Sequence, residues 1–121
     1  MIGYVTLGTN DFAKAARFYD SLLAELGAQR TMEFETFVVW GRKKGPGVAL
    51  TKPYDGKKAT IGNGMMVALA ADSKEQVDRV YQKALALGGT DEGKPGQRGE
   101  GFYAAYFRDL DGNKLNAFYM G

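Results

Sequence analysis

The side chains available for chemistry in this chain are carboxylates, hydroxyls, phenols, amides, lysines and arginines, because its 121 residues include neither His nor Cys. The missing His removes the commonest general base and the commonest transition-metal ligand. The missing Cys removes disulfides and thiolate chemistry, which a reducing compartment would suit. What remains is a set of aromatic and small polar residues on strand-like segments: Tyr4, Thr6, Trp40, Leu50, Met66, Ala68, Tyr106 and Asn116. Alternation turns Val5, Leu7, Val67 and Leu69 toward a covering helix, and so turns Tyr4, Thr6, Met66 and Ala68 the other way, into a cleft. A hairpin centred on Asp111 sets Asn116 opposite Tyr106, and one centred on Gly45 sets Leu50 opposite Trp40; opposed residues share a face. A slip of one residue would flip every such assignment.

Apolar rings with a few polar handles are the ordinary lining of a small-molecule pocket. The plainer reading makes these aromatics core. Tyr4 is the candidate catalytic residue, as a general acid, but an unperturbed phenol titrates near ~10 and needs a cation beside it. Lys52 and Lys114 are candidates for that cation, or else solvated strand-end lysines. Lys94 and Arg98 lie in a Gly-rich stretch, 93–99, that reads either as a lid over an anionic ligand or as a mobile surface loop.

The elements that position these residues are written twice, offset by 62 positions. Val5 maps onto Val67, Leu7 onto Leu69, Tyr19 onto Tyr81 and Leu23 onto Leu85, and Gly27 and Gly88 each close a helix. Such a repeat decides the architecture before any local reading does. In the first copy a strand at 2–9 leads into a helix capped by Asn10 or Asp11, with Phe12, Ala15, Ala16, Tyr19, Leu22, Leu23 and Leu26 as its apolar stripe. Short strands follow at 29–34, 36–41 and 48–52. In the second copy a strand at 65–71 precedes a helix with a Ser73/Gln76 capping box, then a Gly-rich, charged loop at 90–100 with room for only a short or irregular strand, and a hairpin of 102–108 with 114–120 about Asp111-Gly112.

This predicts an α+β fold: two βαβββ modules, 1–54 and 65–121, joined by a polar connector at 55–64 into a single 1–121 domain. Each module is too small for an independent core. The economical solution sets both sheets side by side as one curved mixed sheet, a half-barrel with the helices on its outer face. The inner face then forms a cleft or packs against a partner subunit.

Sixteen basic and fourteen acidic residues, a formal charge of +2, are too balanced to announce a nucleic-acid or membrane surface. The beginning of the chain shows no export signal, and the longest clean apolar run, 65–71, is far short of the ~18–20 residues of a membrane helix. A cytoplasmic location is the expectation. No phosphate-binding loop is present, the Asp109–Asn113 segment lacks the distal Glu of a calcium loop, and Arg98-Gly99 with Phe102-Tyr103 is too short for an RNA-binding segment.

The strand-to-helix entry Tyr4–Asp11, the Phe18-Tyr19 pair and the turn Arg108-Asp109-Leu110-Asp111-Gly112-Asn113-Lys114, set in two βαβββ repeats, resemble the vicinal oxygen chelate superfamily. That superfamily groups glyoxalase I, bleomycin-resistance proteins and extradiol dioxygenases. The resemblance spans essentially the whole chain. It implies metal-ligand positions at Tyr4, Leu50, Met66 and Asn116, where metal-dependent members carry His or Glu; this chain departs from the pattern at all four. The expectation is therefore no metal and no cofactor. The expected function is binding of a small, partly aromatic or anionic organic molecule, as bleomycin-resistance proteins sequester drugs. The mildly basic balance favours a neutral or anionic ligand over bleomycin itself. The alternatives are a metal-independent lyase or isomerase using Tyr4 or Tyr106, and a scaffold with no ligand. The resemblance also implies a homodimer, with apolar strand edges as the physical motive.

Overall fold

The computed structural model describes residues 1–121 and contains two helices and eight strands. The first half runs β1 (Tyr4–Gly8), α1 (Phe12–Ala24), β2 (Gln29–Phe34), β3 (Phe37–Gly41) and β4 (Gly47–Thr51). The second runs β5 (Val67–Ala70), α2 (Lys74–Ala86), β6 (Thr90–Gln97), β7 (Phe102–Arg108) and β8 (Lys114–Met120). Both halves are therefore βαβββ, as the repeat predicts. Each forms its own four-stranded mixed sheet, in the orders β1-β4-β3-β2 and β5-β8-β7-β6.

Local chemistry sets the helix ends. Asp11 caps α1 by accepting from the Lys14 N–H at 3.3 Å, and Ser73 caps α2 by accepting from the Gln76 N–H at 3.1 Å. The Gln76 side chain reaches back to accept from the Asp72 N–H at 2.6 Å, one residue upstream of the usual capping-box partner. Gly27 and Gly88, at φ +76° and +102°, reverse the chain after each helix in a conformation that favours glycine.

β1 and β5 are edge strands, and no backbone hydrogen bond joins residues 1–54 to residues 65–121. The halves are held by a shared core and by side chains. One apolar cluster runs from Leu7, Val38, Trp40 and Leu50 through both helices to Ala105, Phe107 and Leu115. Tyr19 stands at its centre, fully buried, its ring 5.7 Å from that of Trp40 and its hydroxyl donating to Asp109 Oδ2 at 2.5 Å. Asn113 Nδ2 donates to the Gly8 carbonyl, the Asn10 N–H to Asp111 Oδ1, and Gln76 Nε2 to the Glu25 carbonyl. The repeat extends to chemistry: Tyr81, the counterpart of Tyr19, donates to Asp91 Oδ1 at 3.0 Å.

Where the glycines suggest a loop with a short strand at most, 90–100 carries a full strand, irregular in its pairing. β6 covers eight residues, with register shifts between Asp91 and Gly93 and between Gly93 and Gly96. Neither helix is long and apolar enough to cross a membrane.

Candidate functional site

Strand register assigns each candidate residue to a face. In the second sheet Ala68 lies opposite Asn116, and Asn116 opposite Tyr106. Leu69, Ala117 and Ala105 form the neighbouring row, buried against α2. Ala68, Asn116 and Tyr106 therefore share the open face, the one turned away from the helices, and the Asp111-centred pairing is as predicted. In the first sheet Tyr4 and Thr6 are exposed while Leu7 is core, which puts both on the open face. Met66, just before β5, is 42% exposed.

Trp40 and Leu50 are corrections. Trp40 pairs with Val48 and Leu50 with Val38, because the β3–β4 turn is centred on Lys44 rather than Gly45. The two share a face, but it is the helix face: Leu50 lies opposite Leu7, and both residues are almost completely buried in the core. Trp40 is anchored by donating Nε1–H to Asp20 Oδ1 on α1 at 2.9 Å. The same carboxylate takes two bonds from Arg30, at 2.7 and 2.8 Å, which hold it below the usual carboxylate range. The open-face position of β4 is Ala49, opposite Thr6. A signal for this lay in the sequence: Val48 and Leu50 are the bulky alternating pair, Ala49 and Thr51 the small one.

The strongest convergence is around Tyr106. The Arg98 guanidinium carbon lies 5.6 Å from the centre of its ring, and Lys114 Nζ lies 5.7 Å from the same point. Arg98 is folded back over β6 by donating to the Lys94 carbonyl at 2.5 Å. Two glycines give it room, since a Cβ at Gly96 would stand 2.7 Å from Arg98 Nη1 and one at Gly93 3.4 Å from Nη2. Of the reading as lid or mobile loop, what the structure shows is an arginine held against a ring. The nearby Arg108 is neutralised by Glu92 at 3.0 Å, whereas neither Arg98 nor Lys114 has a carboxylate within ion-pairing distance. Between Tyr106 and Ala68, Asn116 is 2% exposed and its amide oxygen has no hydrogen-bond partner.

The first sheet offers a different surface. Tyr4 packs edge-on to Phe37 at 6.2 Å, and Phe37 lies 6.5 Å from Phe34. The Tyr4 hydroxyl makes no hydrogen bond within the protein, and Lys52 is exposed at the strand end beyond Thr51. The second sheet continues its open face with Phe102 stacked on Phe118 at 5.6 Å, aromatics that the sequence reading passed over. Strand period two was the available signal, since Phe102 lies an even number of positions from Tyr106 and Phe118 from Asn116.

Of the four positions that the resemblance implies as metal ligands, Leu50 is turned into the core, and Tyr4, Met66 and Asn116 offer a phenol, a thioether and an amide. That donor set does not suit a divalent cation. Nowhere do three or more carboxylates gather as a metal-holding group.

Comparison with known proteins agrees with this fold. Residues 1–117 match the model of the Glyoxalase/Bleomycin resistance protein/Dioxygenase superfamily. The crystal structure of a glyoxalase/bleomycin resistance protein from Albidiferax ferrireducens T118 is 37% identical over 100% of this chain and 99% of that one, with a TM-score of 0.93. Hypothetical protein SA1046 from S. aureus is 26% identical over 98% of this chain and 92% of that one, at a TM-score of 0.75. Lactoylglutathione lyase from Agrobacterium tumefaciens shares the fold at 20% identity and a TM-score of 0.70, over 98% of this chain and 92% of that one. No curated protein matches the chain. With twin βαβββ modules, paired sheets and a family match across nearly its whole length, the chain belongs to the glyoxalase/bleomycin resistance/dioxygenase superfamily, the vicinal oxygen chelate fold.

Proposed function

We propose that this protein binds a small organic anion with an aromatic or apolar body on the open face, without a metal. The observation that carries the reading is the pair of cations without carboxylate partners, Arg98 and Lys114, each lying over the Tyr106 ring. A carboxylate would neutralise both, and the ring supplies a stacking surface for the ligand body. The Asn116 amide oxygen, buried and unpartnered, would accept from a ligand hydroxyl or N–H, ending a penalty of roughly 1–3 kcal/mol. The aromatic row Tyr4, Phe37 and Phe34 supplies further apolar surface.

The test is a thermal-shift titration with benzoate, using benzyl alcohol and benzylamine as neutral and cationic controls. At a hundredfold excess over Kd a ligand adds ~2.7 kcal/mol of stability, a rise of several degrees for a domain of this size. Benzoate should stabilise the protein and Arg98→Ala should abolish the effect. Equal response to all three probes would overturn the reading. Elemental analysis of protein purified without chelator should give substoichiometric Zn, Ni, Fe and Mn, and one tightly held ion per chain would overturn metal independence. A lyase or isomerase using Tyr4 or Tyr106 as acid is the second reading, supported by the exposed, unbonded Tyr4 hydroxyl; it predicts a Tyr4→Phe protein that binds but no longer turns over. A homodimer is part of the proposal, with exposed Met32, Phe34 and Met120 as apolar surface for a second copy; sedimentation tests it.

A further inference from the structure

A second cavity lies away from Tyr106, between the two halves. Its volume is about 490 Å³, and twelve of its eighteen lining residues are hydrophobic. That size falls within the ~300–1,000 Å³ of ordinary small-molecule sites. The walls come from Leu23 in the last turn of α1 and Leu26 just beyond it, from Val48 on β4, and from Val67 and Leu69 on β5. Leu23, Leu26 and Leu69 belong to the core and Val48 and Val67 pack against it, while Met66 and Ala68 reach the cavity from the other side of β5, so the space lies at the gap between the edge strands β1 and β5. Trp40 is among the lining residues. At one end the β3–β4 turn brings Arg42 and Lys44 to the rim. Both are exposed, and neither has a carboxylate within ion-pairing distance.

Apolar walls closed at one end by two free cations define an amphipathic anion: an aliphatic body for the interior and a carboxylate for the rim. We propose that this inter-module cavity is a second binding site, for a medium-chain fatty acid or a comparable aliphatic carboxylate. It is independent of the Tyr106 site. The two share no cation, and neither Tyr106 nor Asn116 lines the cavity.

Trp40 makes the test specific, because it is the only tryptophan in the chain and is 1% exposed. A brominated acid, 10-bromodecanoate, quenches an indole only on contact. Titration should give saturable quenching of Trp40 emission. In competition with hexanoate, octanoate and decanoate, affinity should rise about fourfold per methylene until the cavity is filled. The double variant Arg42→Glu/Lys44→Glu, altered only at exposed positions, should weaken binding at least ~5-fold with the same thermal midpoint. Arg98→Ala should leave quenching unchanged, and Arg42→Glu/Lys44→Glu should leave the benzoate response unchanged, so failure of either site is told apart from failure of the other. Absent quenching, quenching indifferent to the charge reversal, or no dependence on chain length would overturn the proposal. Quenching abolished by Arg98→Ala would place the acid at Tyr106 and overturn it equally.

Discussion

The Arg98 guanidinium rests on the face of Tyr106 because two glycines of the neighbouring strand, Gly93 and Gly96, leave it room. The position of this cation is therefore controlled from β6. A methyl group at Gly96 would intrude within 2.7 Å of Nη1, the far end of a flexible side chain, so the arginine yields and the strand does not. Gly96→Ala should fold with a near-native midpoint and bind benzoate about tenfold more weakly, the scale of one charge-assisted hydrogen bond. Titration of the variant beside Arg98→Ala checks this; native affinity would mean that Arg98 does not touch the ligand.

Leu50 and Trp40 make the opposite prediction. Leu50→Ala empties space in the fully buried core and should cost about 2–5 kcal/mol in urea unfolding. Trp40→Phe should also destabilise, by leaving the Asp20 carboxylate one donor short. Neither should alter benzoate affinity in protein that remains folded. A loss of affinity at unchanged stability would return these residues to the open face.

Tyr19 is the alkaline sensor of the fold. Burial, followed by the charge of Asp109, holds its phenol well above the ordinary tyrosine range. The folded chain keeps this proton to higher pH than the unfolded chain does. Its contribution is thus fully present below about pH 10 and is lost as pH climbs toward the raised value. Tyr19→Phe should cost about 1–3 kcal/mol near neutrality, because Asp109 loses a buried donor. The difference from the parent should narrow above pH 10, as read by denaturant midpoints.

Asp20 works at the other end of the scale. Hydrogen bonds from Arg30 and then Trp40 lower its pKa, so the stability it adds is present above about pH 4 and disappears as pH falls through the lowered value. Urea midpoints of Asp20→Asn and the parent should differ at pH 7 and converge only as pH falls below the lowered value. A constant gap would show that Asp20 acts by packing alone.

Much of this was legible in the sequence. The stripes Phe12–Leu26 and Val77–Leu87, with their caps and closing glycines, place both helices, and a short Asp-Gly turn fixes the last hairpin so that Asn116 meets Tyr106. Alternation alone gives two faces but not which one is covered. For β3 and β4 the choice rests on the parallel pairing of Leu7 with Leu50, a contact 43 positions apart that no local pattern encodes. The setting of Arg98 was hidden for a related reason. It depends on a strand with two register shifts, and on glycines whose part there is to be small in one place and not to turn the chain.

The hydrogen bonds at the joint between the modules each depend on a side chain: Tyr19 on Asp109, Asp111 on the Asn10 N–H, Asn113 on the Gly8 carbonyl, Gln76 on the Glu25 carbonyl. A backbone ladder is inherited whole, whereas a joint of this kind is rewritten one substitution at a time. Descent can re-angle one sheet against the other without disturbing a single strand, and so alter the size of guest admitted between them. Duplication here left two hands and an adjustable wrist, which explains physically how one architecture serves so many chemistries.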